Sequence, residues 1–365
     1  MRKSFFAILV GLAALSCTKS SKESPEDTTQ YKILVGTYTH KGSEGIYYYS
    51  LNEKMAEPTL LSSTKGVNNP SFLTYFNGVV YNVSEADGGK VQAYAFDEST
   101  GAFSFINEQE SGGAHPCHIS VQNGVVYVGN YTGGNLASFS IEADGSLGKA
   151  SQVINNTGSG PNKERQEKPH VHSVNVAPDG KSLWVADLGT DEVLVYAIDG
   201  DTLKEKTRIK ITPGAGPRHI DFHTSLPVAY VINELNNTMS VISTDDYSTL
   251  QEISTLPEGF EGKSFCADVH VSPDGKFLYG SNRYSDNLVF YAIDPKSGKL
   301  SLEGHQDVMG QVPRNFAISP DGKYVLVANQ DSDNVVIFER NQETGALKAT
   351  GTEIKVSMPV CVKFL

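Results

Sequence analysis

The chain has 365 residues, of which 20% are charged, and a formal net charge of −12 at pH 7. That acidity argues against nucleic acid or an anionic membrane surface as partner. The three cysteines after Cys17, an odd number without regular spacing, make no disulfide framework, and no repeated Cys-x-x-Cys suggests a structural metal.

Met1-Arg2-Lys3 is a short basic start, and Phe5 to Leu15 is an apolar run too short to span a membrane comfortably. The run ends at Leu15-Ser16-Cys17. Residues 1–17 read as a lipoprotein signal, cut so that Cys17 is retained and lipidated. An ordinary secretory signal with an incidental cysteine is the alternative, and Ala14 stands where the usual lipoprotein motif has leucine. Either way the segment is excluded from the fold. Membrane contact is then expected only through an N-terminal lipid anchor. The expected location is the cell envelope, as periplasm or outer surface. Residues 18–30 are polar, contain Pro25, and read as a flexible tether.

Residues 31–365 are expected to form one domain, because one pattern recurs along them. Tyr31 to Tyr38 is a strand with no partner strand before it. Its ending, VGT (Val35 to Thr37), returns as YNV from Tyr81, then as YVGN, WVAD, YVIN, YGSN and LVAN. The markers Thr37, Asn82, Asn130, Asp187, Asn233, Asn282 and Asn329 are separated by 45, 48, 57, 46, 49 and 47 residues. The long gap holds a polar insertion, Asn155 to Lys168. The last full repeat is the clearest. In PRNFAISPDGKYVLVANQDSDNVVIF, from Pro313, two strands flank a Pro-Asp-Gly-Lys turn and a third follows. Proline presets φ there and glycine accepts a positive φ. Four strands in under fifty residues, seven times over, predict an all-β seven-bladed β-propeller with one antiparallel blade per repeat. The chain ends on an orphan first strand, Met358 to Phe364, which is expected to complete the first blade and close the ring.

This geometry predicts a site. The Pro-Asp-Gly turns join the first and second strands on one face of the disc. The starts of the first strands and the ends of the second strands therefore meet on the other face, around the channel mouth. The starts are Ser71, Cys117, His172, Arg218, Ala267, Arg314 and Val360. Just past the second strands come Tyr38, Val83, Tyr131, Leu188, Glu234, Arg283 and Gln330, with Glu85 a little further on. A purely structural ring would repeat itself, whereas this one collects His172, Arg218, Glu234, Arg283 and Arg314. The marker Asn and Asp side chains are read as structural, bonding loop backbone. Cys117, Cys266 and Cys361 are read as small buried residues near the axis. His170-Val171-His172 resembles a metal pair on a strand, where alternate side chains share a face, but no third ligand is evident. No metal or other cofactor is expected.

The sequence resembles the seven-bladed lactonase propellers, which include bacterial 6-phosphogluconolactonase and fungal carboxy-cis,cis-muconate cyclase. HPCHISV from His115, YVGNYTGGNL from Tyr127, PHVHSV from Pro169 and WVADLGTDEVLVY from Trp184 carry the resemblance. So do GAGPRHIDF from Gly214, YVINELNNT from Tyr230, SNR from Ser281 and VPRNF from Val312. It spans nearly all of residues 31–365. It implies a catalytic set of His172, Arg218, Glu234 and Arg283, with Arg314 in a comparable place one blade on. Hydrolysis of a lactone needs an activated water and a stabilised oxyanion. His172 suits the base, because its ordinary pKa is near neutrality. Glu234 among arginines is expected to stay ionised and to orient its neighbours. Arg218 and Arg283 suit the oxyanion and a substrate carboxylate or phosphate. Arg314, Gln330, His118 and His170 are expected to complete the substrate-binding rim.

The expected partner is a small anionic lactone or sugar acid, and the expected state is a monomer. An envelope location conflicts with an intracellular phosphorylated lactone, so an unphosphorylated sugar lactone is the substitute. Two other readings stay open. One is a non-enzymatic binding propeller of the envelope. The other is a cycloisomerase or lyase acting on an unsaturated dicarboxylate lactone, with the same arginines binding carboxylates.

Overall fold

A computed structural model describes Met1 and residues 30–365 of the chain. The leader, Cys17 and the tether up to residue 29 lie outside the described residues. The rest is seven four-stranded antiparallel sheets, and no helix occurs among the described residues. Blades 2 to 7 are each four consecutive strands. Blade 1 combines Tyr31–Thr37, Tyr47–Leu51 and Thr59–Ser63 with the C-terminal strand Pro359–Phe364. That strand pairs Val362 with Val35 and Lys363 with Leu34. It closes the ring as the orphan strand at the end of the sequence predicts.

Apolar side chains alternate along the inner three strands and fill the spaces between neighbouring blades. One such cluster joins Leu34, Tyr48, Tyr81, Val91 and Val128 from the first three blades. A repeated latch accompanies this packing. Tyr81, Tyr230 and Tyr279 sit on second strands and are buried, so each hydroxyl needs an acceptor. They donate to the carbonyls of Gly145, Gly298 and Gly345, at 2.9, 2.9 and 2.7 Å, in the outer turn of the next blade. Gly345 has φ +74°, and a Cβ there would stand 2.4 Å from the Phe277 ring, so glycine is required.

The inner strands are not regular at the end where the predicted site lies. In blade 4, Val171 pairs with Asp187 and Ser173 with Ala186, which leaves His172 as the extra residue of a bulge. Blade 5 does the same with Pro217–Asn233 and His219–Ile232, leaving Arg218. Blade 7 pairs Pro313 with Asn329 and Asn315 with Ala328, leaving Arg314. Blade 3 leaves Cys117 and blade 1 leaves Val360 in the same way. A bulge re-aims the extra side chain out of the ladder. Here it turns five ring positions away from the sheet plane. His170 and His172 therefore do not sit as a regular strand pair on one face.

The markers hold the loops. Asn130 Nδ2 donates to the Ser111 carbonyl at 3.0 Å, and Asn282 Nδ2 to that of Thr255 at 2.9 Å. Asp187 Oδ1 accepts the backbone N–H of His170 at 2.8 Å and of Gly189 at 3.0 Å. Cys117, Cys266 and Cys361 are buried free thiols.

Candidate active site

Glu234 follows directly on the second strand of blade 5, Val228–Asn233, and lies buried at the channel mouth. Three arginines share its carboxylate. Arg218 Nε and an Arg283 terminal nitrogen each donate to Oε2 at 3.0 Å, and Arg165 donates to Oε1 at 2.6 Å. Burial alone would raise the Glu234 carboxyl. Arg283, Arg218 and Arg165 outweigh burial and hold it down to about 2. It is an ionised anchor with both oxygens taken, as expected of a carboxylate among arginines.

The arginines are held from behind. Arg218 is fully buried and also donates to the Ala267 carbonyl and, at 3.2 Å, to His219 Nε2. Burial, then Arg283 and Arg314, pull its pKa down to about 10, which leaves it a cation at neutral pH. Arg283 donates to the Cys266 carbonyl at 2.9 Å, and its buried Nε has no acceptor among the described residues. Arg314 takes no part in the Glu234 cage. It lies over the Tyr38 ring at 5.4 Å and makes no hydrogen bond or ion pair among the described residues.

His172, Arg314, Arg283, Arg165, Tyr131 and Glu85 surround a cavity of about 180 Å³, with Glu234 in its wall. A narrow recess below it, of about 10 Å³, reaches Arg218 and Ser71. His172 borders both spaces. Burial, then the charges of Arg218, His219 and Arg314, hold its imidazole well below the usual histidine value, so it is neutral. Tyr131 stands edge-on to it at 5.4 Å. Cys117 Sγ lies 3.4 Å from the His172 carbonyl, and burial keeps it a thiol.

His170 is not in the cavity lining. It stacks under Tyr131 at 4.5 Å, with Nδ1 3.0 Å from the Tyr131 carbonyl and Nε2 3.2 Å from Glu167. It supports the wall instead of forming it. His118 follows the blade 3 bulge and points the other way. It stacks on Phe72 at 4.2 Å and lines a second chamber of about 350 Å³ nearer the Pro-Asp-Gly turns. Gln330 bonds Asp331 at 3.0 Å and stays outside the lining. The structure thus brings together His172, Arg218, Glu234, Arg283 and Arg314 of the expected residues, and leaves His118 and Gln330 apart.

Arg165 is the residue that sequence reasoning missed. It comes from the insertion between blades 3 and 4. Asn162 Oδ1 accepts the N–H of Glu164 and Arg165 at 3.1 and 3.2 Å. Fully buried Gln166 then ties the loop to the Leu188 carbonyl and Asp191, at 2.9 and 2.7 Å. Arg165 is thereby placed 3.1 Å from the Tyr131 hydroxyl, over the cavity. The length of that insertion, beside the His172 blade, was the available signal.

A larger cavity of about 610 Å³ lies between blades 4 and 5 at the turn side, against Trp184, Phe222 and Tyr247. Its His223 is already bonded to the Gly275 carbonyl at 2.9 Å. Size therefore does not locate the chemistry, whereas the charged groups left without partners do.

The family model described as lactonase, 7-bladed beta-propeller, matches residues 32–364. A 6-phosphogluconolactonase of Bacillus subtilis (strain 168) is 36% identical over 349 residues, covering 92% of this chain and 99% of its own. A solved structure from Bacteroides fragilis NCTC 9343 is 39% identical with a TM-score of 0.88, over 94% of this chain and 99% of that one. The structure of a Pseudomonas aeruginosa periplasmic gluconolactonase is 33% identical with a TM-score of 0.87, over 92% and 99%.

Proposed function

Because this chain belongs to the seven-bladed β-propeller lactonases, we propose that it is a lactone hydrolase that opens a small sugar lactone at the Glu234 mouth of the channel. The observation that carries this reading is the set of groups facing one small cavity: a neutral imidazole, an arginine with no protein acceptor, and a second arginine, Arg283, anchored on Glu234. The volume of about 180 Å³ suits a single sugar ring.

In the proposed reaction, His172 takes a proton from water as its oxygen attacks the lactone carbonyl. Arg283 and Arg218 stabilise the oxyanion. The imidazolium stands among Arg218 and Arg314, so it is a strong acid. It returns its proton to the ring oxygen as the C–O bond breaks. Arg314 receives a carboxylate or phosphate of the substrate, or its hydroxyls if it carries neither. Glu234 holds three arginines in register and gives up no hydrogen bond in the process.

The location is proposed to be the cell envelope, with Cys17 as lipid anchor. One structural relative is a periplasmic gluconolactonase, and no helix among the described residues is long and apolar enough to cross a membrane. Cys17→Ser should move the protein from the membrane fraction to the soluble fraction. Wild type already soluble in the cytoplasm with Met1 intact would refute the anchor and favour a phosphorylated substrate. The test of the activity is a panel of phosphorylated and unphosphorylated lactones, assayed on the form starting near Tyr31, with and without chelator. Hydrolysis of at least one, unaffected by chelator, is expected. No turnover of any lactone would favour a binding propeller.

A further inference from the structure

Two glutamates face the mouth, from blades on opposite sides of the ring, and their surroundings differ in kind. Glu234 has both oxygens occupied by guanidinium groups. Glu85 is the residue directly after the second strand of blade 2, Val79–Ser84, as Glu234 is in blade 5. Its backbone is pinned on both sides. Its N–H donates to the Asn69 carbonyl at 3.1 Å, and its own carbonyl accepts Asn69 Nδ2 at 3.2 Å. Its Oε2 accepts two neutral hydroxyls, Tyr38 at 3.0 Å and Ser71. Its Oε1 has no hydrogen-bond partner among the described residues, and the side chain lines both the cavity and the recess beside His172. Arg314 is held over Tyr38, the same residue that fixes Oε2.

A water that attacks a lactone has two O–H bonds, and the imidazole accounts for one. We infer that Glu85 is a second catalytic residue, whose Oε1 accepts the other O–H of the attacking water and takes that proton as the product acid forms. This rests on the lactonase reading above. The step balances. The water oxygen bonds to the carbonyl carbon and the ring C–O bond breaks. One water proton passes through His172 to the ring oxygen. The other passes through Glu85 to solvent, leaving an alcohol and a carboxylate. Tyr38 and Ser71 fix Oε2 so that Oε1 is the oxygen presented, which makes them positioning residues. Glu234 does not take this part, because both of its oxygens already accept from guanidinium groups.

The test compares wild type, Glu85→Gln and Glu85→Ala on whichever lactone wild type hydrolyses fastest, with thermal unfolding as a check on folding. Both variants should lose about 10²-fold in kcat, the lower end of general-base effects, with KM within about threefold. Added formate should restore turnover to Glu85→Ala, where it can occupy the vacated space, and not to Glu85→Gln. Rescue separates a catalytic carboxylate from a merely structural one. Glu85→Gln at wild-type kcat, or Glu85→Ala folded but unresponsive to formate, overturns the assignment. A wild type that hydrolyses no lactone overturns the reading on which the step rests, whereas a wild type that turns over beside an equally active Glu85→Gln overturns Glu85 alone.

Discussion

The two chambers of the channel are lined by the same inner strands, yet their acids are met in different ways. On the turn side, Asp268 accepts His219 Nδ1 at 2.7 Å, His270 Nε2 at 3.0 Å and Asn315 Nδ2 at 2.5 Å. Burial would raise its carboxyl, but His270 and the His219 hydrogen bond hold it well below the usual range. Asp221 accepts the N–H of Val271 at 2.7 Å. These acids are internally satisfied and serve the fold. On the loop side, Arg314 and Glu85 line a cavity, and neither the Arg314 guanidinium nor Glu85 Oε1 has a hydrogen-bond partner among the described residues. The turn-side chamber is the larger, about 350 against 180 Å³. An acid left open beside a neutral imidazole and arginines marks a ligand site better than volume does.

The deepest way to disturb this contrast is to remove the anchor of the loop side. Glu234→Gln leaves three guanidinium groups around a neutral amide. Breaking a buried pair from one side commonly costs about 3–5 kcal/mol, so urea unfolding at pH 7 should show a loss of that order, and lactone turnover should fall below detection. The pH dependence has a definite sign. The Glu234 carboxyl is depressed from 4.5 to about 2 in the fold. Its contribution is therefore fully present above pH 4.5 and lost as pH falls through 2. The shift corresponds to about 3 kcal/mol, and the variant should lack that part of the acid destabilisation. Stability of Glu234→Gln equal to wild type at pH 7 would contradict the cage.

A smaller effect sharpens the contrast instead of breaking it. Arg314→Ala removes the site arginine that lies outside the cage. A charge-assisted hydrogen bond is worth about 2 kcal/mol, so KM for an anionic lactone should rise roughly thirtyfold with little change in kcat. For an uncharged lactone the rise should be smaller. The ratio of the two effects reports whether the physiological substrate carries an anion. Equal KM values for variant and wild type on both substrates would remove Arg314 from substrate binding.

Much of this was legible before any coordinates. The seven strand-end markers and the orphan strand at Met358 to Phe364 gave blade number and closure, because each repeat must bury its faces against the next. Aligning strand ends placed His172, Arg218, Glu234, Arg283 and Arg314 at one mouth. What failed did so for local reasons. A regular strand puts His170 and His172 on one face, but the bulge turns His172 to the cavity and leaves His170 under Tyr131. His118 follows a bulge residue and so faces the other chamber. Arg165 lies in an insertion that aligns with no repeat. Glu85 was assigned no role because the second strand of blade 2 runs on to Ser84, past the Asn82 marker, which shifts the equivalent position.

The contrast between the chambers is tested most directly by two histidines on adjacent blades, both buried and both in the channel wall: His172 on the loop side and His118 on the turn side. The measurement is kcat for lactone hydrolysis by His172→Ala and His118→Ala, at matched folding, with wild type followed from pH 8 down through the ordinary imidazole value of 6.5. A base with a depressed pKa stays neutral across that range, so wild-type kcat/KM should remain flat there and fall only at lower pH. His172→Ala should lose about 10²–10⁴-fold in kcat, and His118→Ala should stay within about threefold of wild type. Comparable losses in the two variants, or a larger loss from His118→Ala, would contradict the assignment of catalysis to the loop-side mouth.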